Sequence, residues 1–342
     1  MRLATWNIEW MNVLFDDDGD ALEDDEPSAR YRVTRSEQLV GIGIVLAAMD
    51  ADAVFIVEAP DDNRRRSTVQ ALEKFAAICG LRTRRAVMGF RSDTEQELAL
   101  LYDPDVMTVA LDPRESPHAP RFDGETDIDL GNGNGVETIR FARAPMEMAI
   151  TPADGEPFRL IGAHAKSKAP HGARNKHEVW RLSLANRRKQ LAQCLWLRRR
   201  IEEHLTTGDR LIVMGDLNDG PGVDSFEGMF GLSGVEVVMG CADVGGCLID
   251  GPMRLHDPNA MAALHRPLGG GPSSARFYST ETKRYFPALL DYILVSPDIA
   301  ASGPAWRIWH PFDDPVCWKT PELREALLAA SDHFPVTLDF DP

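Results

Sequence analysis

The apolar runs of this chain are short, and several of them end or begin on a single acid, amide or histidine. Asn7 and Glu9 follow the run that starts at Leu3, Glu58 follows Val54-Phe55-Ile56-Val57, and His164 follows Leu160-Ile161-Gly162-Ala163. Asp216 and Asn218 follow Leu211-Ile212-Val213-Met214 in the same way. Asp291 instead precedes Tyr292-Ile293-Leu294-Val295, and Asp332 and His333 precede Pro335-Val336-Thr337-Leu338. Short apolar runs between turn formers read as buried strands. Strand exits and strand entrances meet on one rim only where some neighbours run antiparallel. The pattern therefore calls for mixed sheets and excludes a purely parallel, doubly wound fold.

Periodicity places strands over Arg2–Asn7, Ala53–Val57, Thr83–Met88, Leu98–Tyr102, Thr138–Thr151, Phe158–Ala163, Leu211–Met214, Leu289–Val295 and Val336–Phe340. It places helices over Arg35–Met49, Thr68–Cys79 and Asn175–Leu205. In the last of these, Trp180, Leu184, Leu191, Leu195, Ile201 and Leu205 recur at helical spacing, and Arg187, Arg188, Arg198 and Arg199 fall elsewhere on the wheel. This predicts one face on a sheet and a basic face outward. No internal repeat and no Ser/Gly linker divides the chain, so a single domain over 1–342 is expected. Loop insertions are expected near 11–36, 112–137 and 240–279, the second with the run Gly131-Asn132-Gly133-Asn134-Gly135 and the third rich in Gly and Pro. Loops of this length tend to be lids or binding surfaces.

At 342 residues, 44% hydrophobic and 26% charged, the chain can bury a core, which excludes disorder and collagen-like repeats. No apolar stretch approaches the roughly 18 residues of a membrane helix. Met1-Arg2-Leu3-Ala4 leads into a strand rather than a secretory leader, so a cytoplasmic chain is expected. Cys79, Cys194, Cys241, Cys247 and Cys317 are odd in number and match no zinc spacing, which points to reduced thiols. The net charge of −16 weighs against a polyanionic partner, because nucleic-acid binding draws on Lys and Arg at phosphates. The charge is uneven, however. Asp16 to Glu26 carries eight acids and no base, while Arg174 to His204 carries nine Lys and Arg against three Glu.

A rim built from these strand ends gathers Glu9, Glu58, Asp216, Asp291 and Asp332 with two histidines and two amides. Carboxylates that close repel one another unless a cation or a shared proton intervenes. Hard oxygen ligands select Mg²⁺, Mn²⁺ or Ca²⁺ over zinc. Each element alone has an ordinary reading as turn or cap, but six such motifs at strand termini are hard to obtain from turn chemistry.

The sequence resembles the endonuclease/exonuclease/phosphatase superfamily. The resemblance rests on Thr5-Trp6-Asn7-Ile8-Glu9, Val57-Glu58, Gly162-Ala163-His164-Ala165-Lys166-Ser167-Lys168, Met214-Gly215-Asp216-Leu217-Asn218-Asp219, Leu290-Asp291-Tyr292-Ile293-Leu294 and Ser331-Asp332-His333-Phe334-Pro335-Val336. It implies a four-layered α/β sandwich, two mixed β-sheets face to face flanked by helices. It implies Glu58 as principal metal ligand, with Glu9 and Asp332 coordinating directly or through water, and Mg²⁺ or Mn²⁺ as one or two ions. Asn7 and Asn218 would hold phosphoryl oxygens, Asp216 would orient or deprotonate the attacking water, and Asp291 would pair with His333. In-line attack on phosphorus builds charge on the equatorial oxygens, which a divalent ion, an imidazolium and amide donors stabilise. His164 would protonate the leaving oxygen or stabilise the transition state.

The stretch Pro287-Ala288-Leu289-Leu290-Asp291 lacks the aromatic of the inositol-phosphatase signature, and Tyr292 stands where that signature has Arg. His164-Ala165-Lys166-Ser167-Lys168 resembles instead a pattern of bacterial nuclease-like members, with Lys166, Lys168 and Arg143 as candidate phosphate ligands. The leading expectation is a metal-dependent phosphodiesterase for DNA, RNA or a nucleotide diester. The alternative, a phosphatase or diesterase of a small metabolite or lipid headgroup, is motivated by the −16 charge and the acidic run. A non-catalytic scaffold is disfavoured because Glu58, Asp216, Asn218, Asp291 and His333 are all present. No membrane insertion and no obligate protein partner are expected.

Overall fold

At the heart of each of two sheets, a pair of strands runs the same way and is flanked on either side by antiparallel neighbours. The computed structural model describes residues 1–130, 135–170, 172–221, 233–240, 251–264, 271–279 and 283–342. Through β13, the described elements are β1 (Arg2–Asn7), α1 (Arg35–Met49), β2 (Ala53–Ala59), α2 (Thr68–Ile78), β3 (Arg85–Met88), β4 (Glu97–Tyr102), β5 (Met107–Leu111), β6 (Glu125–Asp129), β7 (Val136–Arg140), β8 (Met146–Pro152), β9 (Phe158–His164), α3 (Lys176–Thr207), β10 (Leu211–Asp216), α4 (Gly234–Met239), α5 (Pro258–Leu264), β11 (Ala275–Ser279), β12 (Arg284–Ala288) and β13 (Asp291–Val295). They continue with α6 (Pro297–Ala301), β14 (Ala305–Ile308), α7 (Pro315–Lys319), α8 (Pro321–Ala330) and β15 (Val336–Asp339). A six-stranded sheet has the order β14-β15-β1-β2-β4-β3, and a five-stranded sheet the order β13-β10-β9-β8-β5. Strands β1 and β2 are parallel, as are β9 and β10, and the remaining pairs in both sheets are antiparallel. The expected mixed sheets are present.

The period of two along each strand separates the layers. Leu3, Phe55, Leu100, Leu160, Ile212, Met214, Ile293 and Val336 pack between the sheets. Their neighbours Ala4, Trp6, Val54, Ile56 and Ala99 face outward onto α1, α2 and α8. Ile161, Ala163, Leu211, Val213, Tyr292 and Leu294 face the other way, onto Leu191, Trp196, Leu197 and Ile201 of α3. Helix, sheet, sheet and helix therefore stack as four layers, with one core between the sheets and one under each helical layer. Gly162 lets the sheets approach: a Cβ there would lie 2.1 Å from the Phe55 ring.

Helix boundaries follow from capping chemistry. Thr34 Oγ1 accepts from Glu37 N at 3.2 Å while Glu37 Oε2 accepts from Thr34 N at 2.8 Å, a reciprocal cap that starts α1 where the sequence places it. Asn175 caps α3 at its start, and Gly208, at φ +76°, ends it.

Several expectations are corrected. The long strand expected over Thr138–Thr151 is two, β7 and β8, because Pro145 has no N–H to donate to a ladder. The insertion near 112–137 contains β6, which pairs with β7 as a separate ribbon; its residues 131–134 lie outside the described residues. Helix α3 does not carry a simple basic outer face. Arg187 and Arg198 are buried and engaged, Arg187 with Asp219 at 3.0 Å and Arg198 with Glu202 at 2.8 Å. Trp180, expected on the buried face, is 52% exposed. Strands β5, β11, β12 and β14 and helices α4 to α8 are additions to the elements expected from the sequence. Cys79, Cys194 and Cys317 are free thiols, and Cys241 and Cys247 lie outside the described residues. Among the described residues no helix is long and apolar enough to cross a membrane.

Candidate functional site

Strand register brings three of the expected residues abreast. In the five-stranded sheet Asp216 lies opposite His164 on the parallel neighbour and opposite Asp291 on the antiparallel one. All three continue the inter-sheet faces of their strands, in step with Leu160, Met214 and Ile293. Asn7 does the same on β1 in the facing sheet, and its Nδ2 donates to Asp216 Oδ2 at 3.0 Å. The site is the polar end of the layer between the sheets. His333, just ahead of β15, closes it: its Nδ1 is 2.8 Å from Asp291 Oδ2, and Asp216, Asp291 and His333 offer ligand atoms within 4.8 Å of one another.

Backbone irregularities aim the remaining groups. Glu58 is the extra residue of a bulge between Val57 and Ala59, with φ +63°. In a regular strand it would face the helices with Val54 and Ile56; the bulge redirects it. Its Oε2 accepts from Trp10 N at 3.0 Å. Gly215, at φ +133°, leaves no room for a side chain, since a Cβ would meet Ala163 O at 2.0 Å. Asn218, at φ +51°, turns back so that its N donates to Asp216 Oδ1 at 2.7 Å and its Nδ2 to Asp216 Oδ2 at 3.2 Å.

Burial and neighbouring charge separate the titrating groups. Burial, reinforced by Asp291, pushes Asp216 up to about 7, against the opposing pull of His333 and the donors Asn218 and Asn7. Burial lowers His333, but Asp291, Asp216 and Asp332 outweigh it and hold the imidazole well above its usual range. His164 goes the other way: burial first, then the charges of Arg143, His333 and Lys166, hold it well below. It lies 3.7 Å from Asp216 Oδ2 as a neutral ring at pH 7, which favours an N–H donor over a strong acid.

The sequence profile described as "Endonuclease/Exonuclease/phosphatase family" matches residues 4–333. The chain belongs to this family. Among solved structures, truncated Caenorhabditis elegans TDP2 is 13% identical at a TM-score of 0.50, with 100% of this chain and 97% of that one covered. The endonuclease/exonuclease/phosphatase from Bacteroides vulgatus is 15% identical at a TM-score of 0.51, covering 99% and 98%. These likenesses establish the four-layered α/β fold. No curated protein sequence matches the chain.

In this endonuclease/exonuclease/phosphatase family member, the expected metal ligands are arranged less tightly than Asp216, Asp291 and His333. Glu9 and Asp332 come together around Arg30, whose Nη1 donates to Glu9 Oε2 and lies 4.0 Å from Asp332 Oδ1. Burial first, then Asp332, pushes Glu9 up to about 7, with Arg30 opposing and Glu58 adding to the rise. A divalent cation fits this donor set, because it reverses the sign of the field that Glu9, Asp332 and Glu58 impose on one another. The buried Asn7 Oδ1 and Asp291 Oδ1 have no hydrogen-bond partner and face the same polar layer as further oxygen donors.

Of the basic residues, Arg143 hydrogen-bonds Gln96 Oε1, and its Nη2 donates to Ala165 O at 3.3 Å, within the field of Glu58 and Asp216. Burial, then the charges of Arg143 and Lys189, lower Lys166, whose backbone N donates to Gln193 Oε1 at 2.8 Å. Lys168 is placed differently: its Nζ donates to the buried Asp219 at 2.7 Å, alongside Arg187.

Sequence reading missed the groups that hold this family member's site in place. Ser274 Oγ donates to Asp291 Oδ2 at 2.7 Å while accepting from Leu290 N and Asp291 N, each at 3.0 Å. Nothing in its Gly- and Pro-rich surroundings signals that role. Ser331 Oγ donates to Asn7 O at 2.7 Å and accepts from His333 N at 3.1 Å, tying the two motifs together. Beside them, β11 and β12 form a ribbon in which Phe277 opposes Phe286 and Tyr278 opposes Tyr285. The Phe277 ring packs edge-on against His333, with centroids 5.5 Å apart. Its partner Phe286 is 48% exposed, and Arg276 lies 3.9 Å over the Tyr285 ring.

Proposed function

We propose that this chain is a divalent-metal-dependent phosphodiester hydrolase, with DNA, RNA or a nucleotide diester as its substrate class. The observation that carries the reading is the meeting of Asp216, held by Asn7 and Asn218, with the Asp291–His333 pair at the end of the inter-sheet layer. Asp216, near 7, is poised to orient and deprotonate a water. His333, kept protonated by Asp291, supplies positive charge to the equatorial oxygens and a proton on demand. Neutral His164 donates an N–H to the same oxygens. Asn7, Asn218, Arg143 and Lys166 hold the phosphate, while Lys168 supports the loop through Asp219.

Glu58, with Glu9 and Asp332, would hold Mg²⁺ or Mn²⁺, and the ion when bound supplies Lewis-acid neutralisation of the phosphoryl oxygens. A base-bearing substrate is favoured over a small headgroup by the exposed aromatic ribbon against His333. The acidic run argues less strongly for the small substrate than its charge implies. Asp17, Asp20 and Asp24 are paired with Arg65, Lys74 and Arg35 at 2.8, 2.6 and 3.0 Å. A cytoplasmic setting accords with the free thiols of Cys79, Cys194 and Cys317.

The test is hydrolysis of a chromogenic diester, its monoester, and single- and double-stranded DNA and RNA, with Mg²⁺, Mn²⁺ or EDTA, by wild type and Asp216→Asn. EDTA-sensitive nucleic-acid cleavage, reduced by about 10²–10⁴ in the variant, is expected. Cleavage that persists in EDTA or in the variant overturns the assignment, and hydrolysis of the small esters alone replaces the substrate class.

A further inference from the structure

The β11–β12 ribbon has two faces, and only one of them meets His333. Opposite residues of an antiparallel pair share a face, and successive residues alternate. Phe277 and Phe286 therefore lie on the His333 side, and Arg276, Tyr278 and Tyr285 on the other. On that outward side the Arg276 guanidinium lies 3.9 Å from the centre of the Tyr285 ring and 5.0 Å from that of Phe312, which stands just ahead of α7. The contacts continue away from the site. Tyr278 and Tyr285 are 5.2 Å apart between ring centres, Phe312 and Trp318 are 6.2 Å apart, and Arg324 of α8 lies 5.0 Å over the Trp318 ring. These four aromatic side chains are between 38% and 54% exposed. A contiguous exposed surface of this kind marks a place where something binds.

Charge and position identify the occupant. Arg276 is stacked on two rings, and among the described residues no carboxylate pairs with it. The acids nearest in the chain to Phe312 are engaged: Asp314 binds Arg307 at 2.8 and 2.9 Å, and Asp313 lies 3.1 Å from His310 Nδ1. A guanidinium held flat on rings presents its N–H edge to a phosphate, and the rings beside it present their faces to unpaired bases. The surface also begins at the site, since Arg276 N donates to Asp332 O at 2.8 Å and Ala275 bridges to His333.

We propose that this outward face is a second nucleotide-binding subsite, in which Arg276 takes a phosphate beyond the cleaved one and Tyr285, Phe312 and Trp318 stack the bases of a single strand. The inference rests on the nucleic-acid reading above and adds a strand form and a direction to it: the strand is unpaired where it leaves the site and runs along the ribbon toward α7. A duplex keeps its bases stacked on one another and gains nothing from these rings. An unphosphorylated dinucleotide has one phosphate, the one that is cleaved, and leaves Arg276 unused.

The test compares wild type, Trp318→Ala, Trp318→Phe and Arg276→Gln, each checked for folding by circular dichroism. Cleavage of a single-stranded decanucleotide and of an unphosphorylated dinucleotide is measured with Mg²⁺, and binding of the decanucleotide and of its duplex is measured by fluorescence anisotropy in EDTA. In Trp318→Ala the preference for the decanucleotide, as a ratio of kcat/KM, is expected to fall by about 5- to 150-fold, the loss of one base stack, and the preference for single strand over duplex falls with it. Trp318→Phe, which keeps a ring, retains most of both. In Arg276→Gln the salt slope of decanucleotide binding falls by about 0.7, the loss of one single-strand phosphate contact. Preferences and slope that stay at wild-type values in folded Trp318→Ala and Arg276→Gln overturn this inference and leave the hydrolase reading standing. A wild-type dimer in sedimentation that dissociates in Trp318→Ala also overturns it, and gives the face to a second copy of the chain. Wild type that neither binds nor cleaves any oligonucleotide removes the nucleic-acid reading and this inference with it.

Discussion

His333 Nδ1 and Asp291 Oδ2, 2.8 Å apart, join the two sheets: Asp291 opens β13 of one, and His333 leads into β15 of the other. The contact belongs to the proposed catalytic site and links the two sheets at once, which gives its loss two separable signatures. In Asp291→Asn the imidazole loses the main partner that raises it, so its titration, followed by NMR, moves down toward or below the usual histidine range. Turnover falls by about 10²–10⁴. In wild type the raised His333 contributes stability that is full below about pH 6.5, the unfolded value, and is lost as pH rises through the higher folded value. Urea unfolding across that window is expected to show the decline in wild type and not in Asp291→Asn.

Asp216 carries the opposite sign. Raised from 3.8 to about 7 chiefly by burial, it keeps a proton in the folded chain that the unfolded chain gives up, so stability falls as pH rises from about 4 to 7. Asp216→Asn removes the titrating group, so the decline in stability between about pH 4 and 7 is expected to flatten in the variant while turnover is lost. A decline of the same slope in the variant contradicts the electrostatic account.

Lys166 and Lys168 lie in one motif but are expected to fail differently. Lys166→Ala should weaken nucleic-acid binding and reduce the salt slope by about 1, as the loss of one phosphate contact does. Lys168→Ala should leave the slope unchanged and lower the unfolding midpoint, because its ammonium serves the buried Asp219. Equal slope changes in the two variants would place both lysines on the substrate.

The aromatic ribbon makes a separate prediction. Phe277→Ala and Phe286→Ala should each cost about 1–3 kcal/mol in binding single-stranded oligonucleotides, the magnitude of one lost base stack. Hydrolysis of a base-free chromogenic diester should change much less in Phe286→Ala, whose ring is exposed and makes no ring contact with His333. Equal losses on both substrates would reassign the ribbon to support of the His333 loop.

Gly215 precedes Asp216 for steric reasons. In Gly215→Ala the new Cβ meets Ala163 O, and φ +133° is strained for any L side chain. Denaturant unfolding is expected to show a loss of roughly 2–4 kcal/mol, with turnover reduced further because β9 and β10 hold His164 and Asp216 abreast.

The residues at strand termini were legible because a polar side chain interrupting an apolar run is a local signal, and because a period of two fixes which face it joins. Asn7, His164, Asp216, Asp291 and His333 therefore reach one place as their strands imply. The mixed sheets followed from the same signal, since exits and entrances had to share a rim.

What tertiary structure alone decided are contacts between positions far apart in the chain. Arg187, read by helical periodicity as a surface base, is buried because Asp219, 32 positions away, folds back to meet it. Glu58 reaches the rim through a bulge, and no residue pattern marks where a ladder slips by one. Ser274 reaches Asp291 across 17 positions, and Arg30 reaches Glu9 across 21 through an insertion with no periodicity. The sequence by itself determined which side chains stand at the ends of the strands, because that depends on neighbours one and two residues away. Their partners, their protonation and the charge left for a metal ion depend on what burial and long-range packing bring against them.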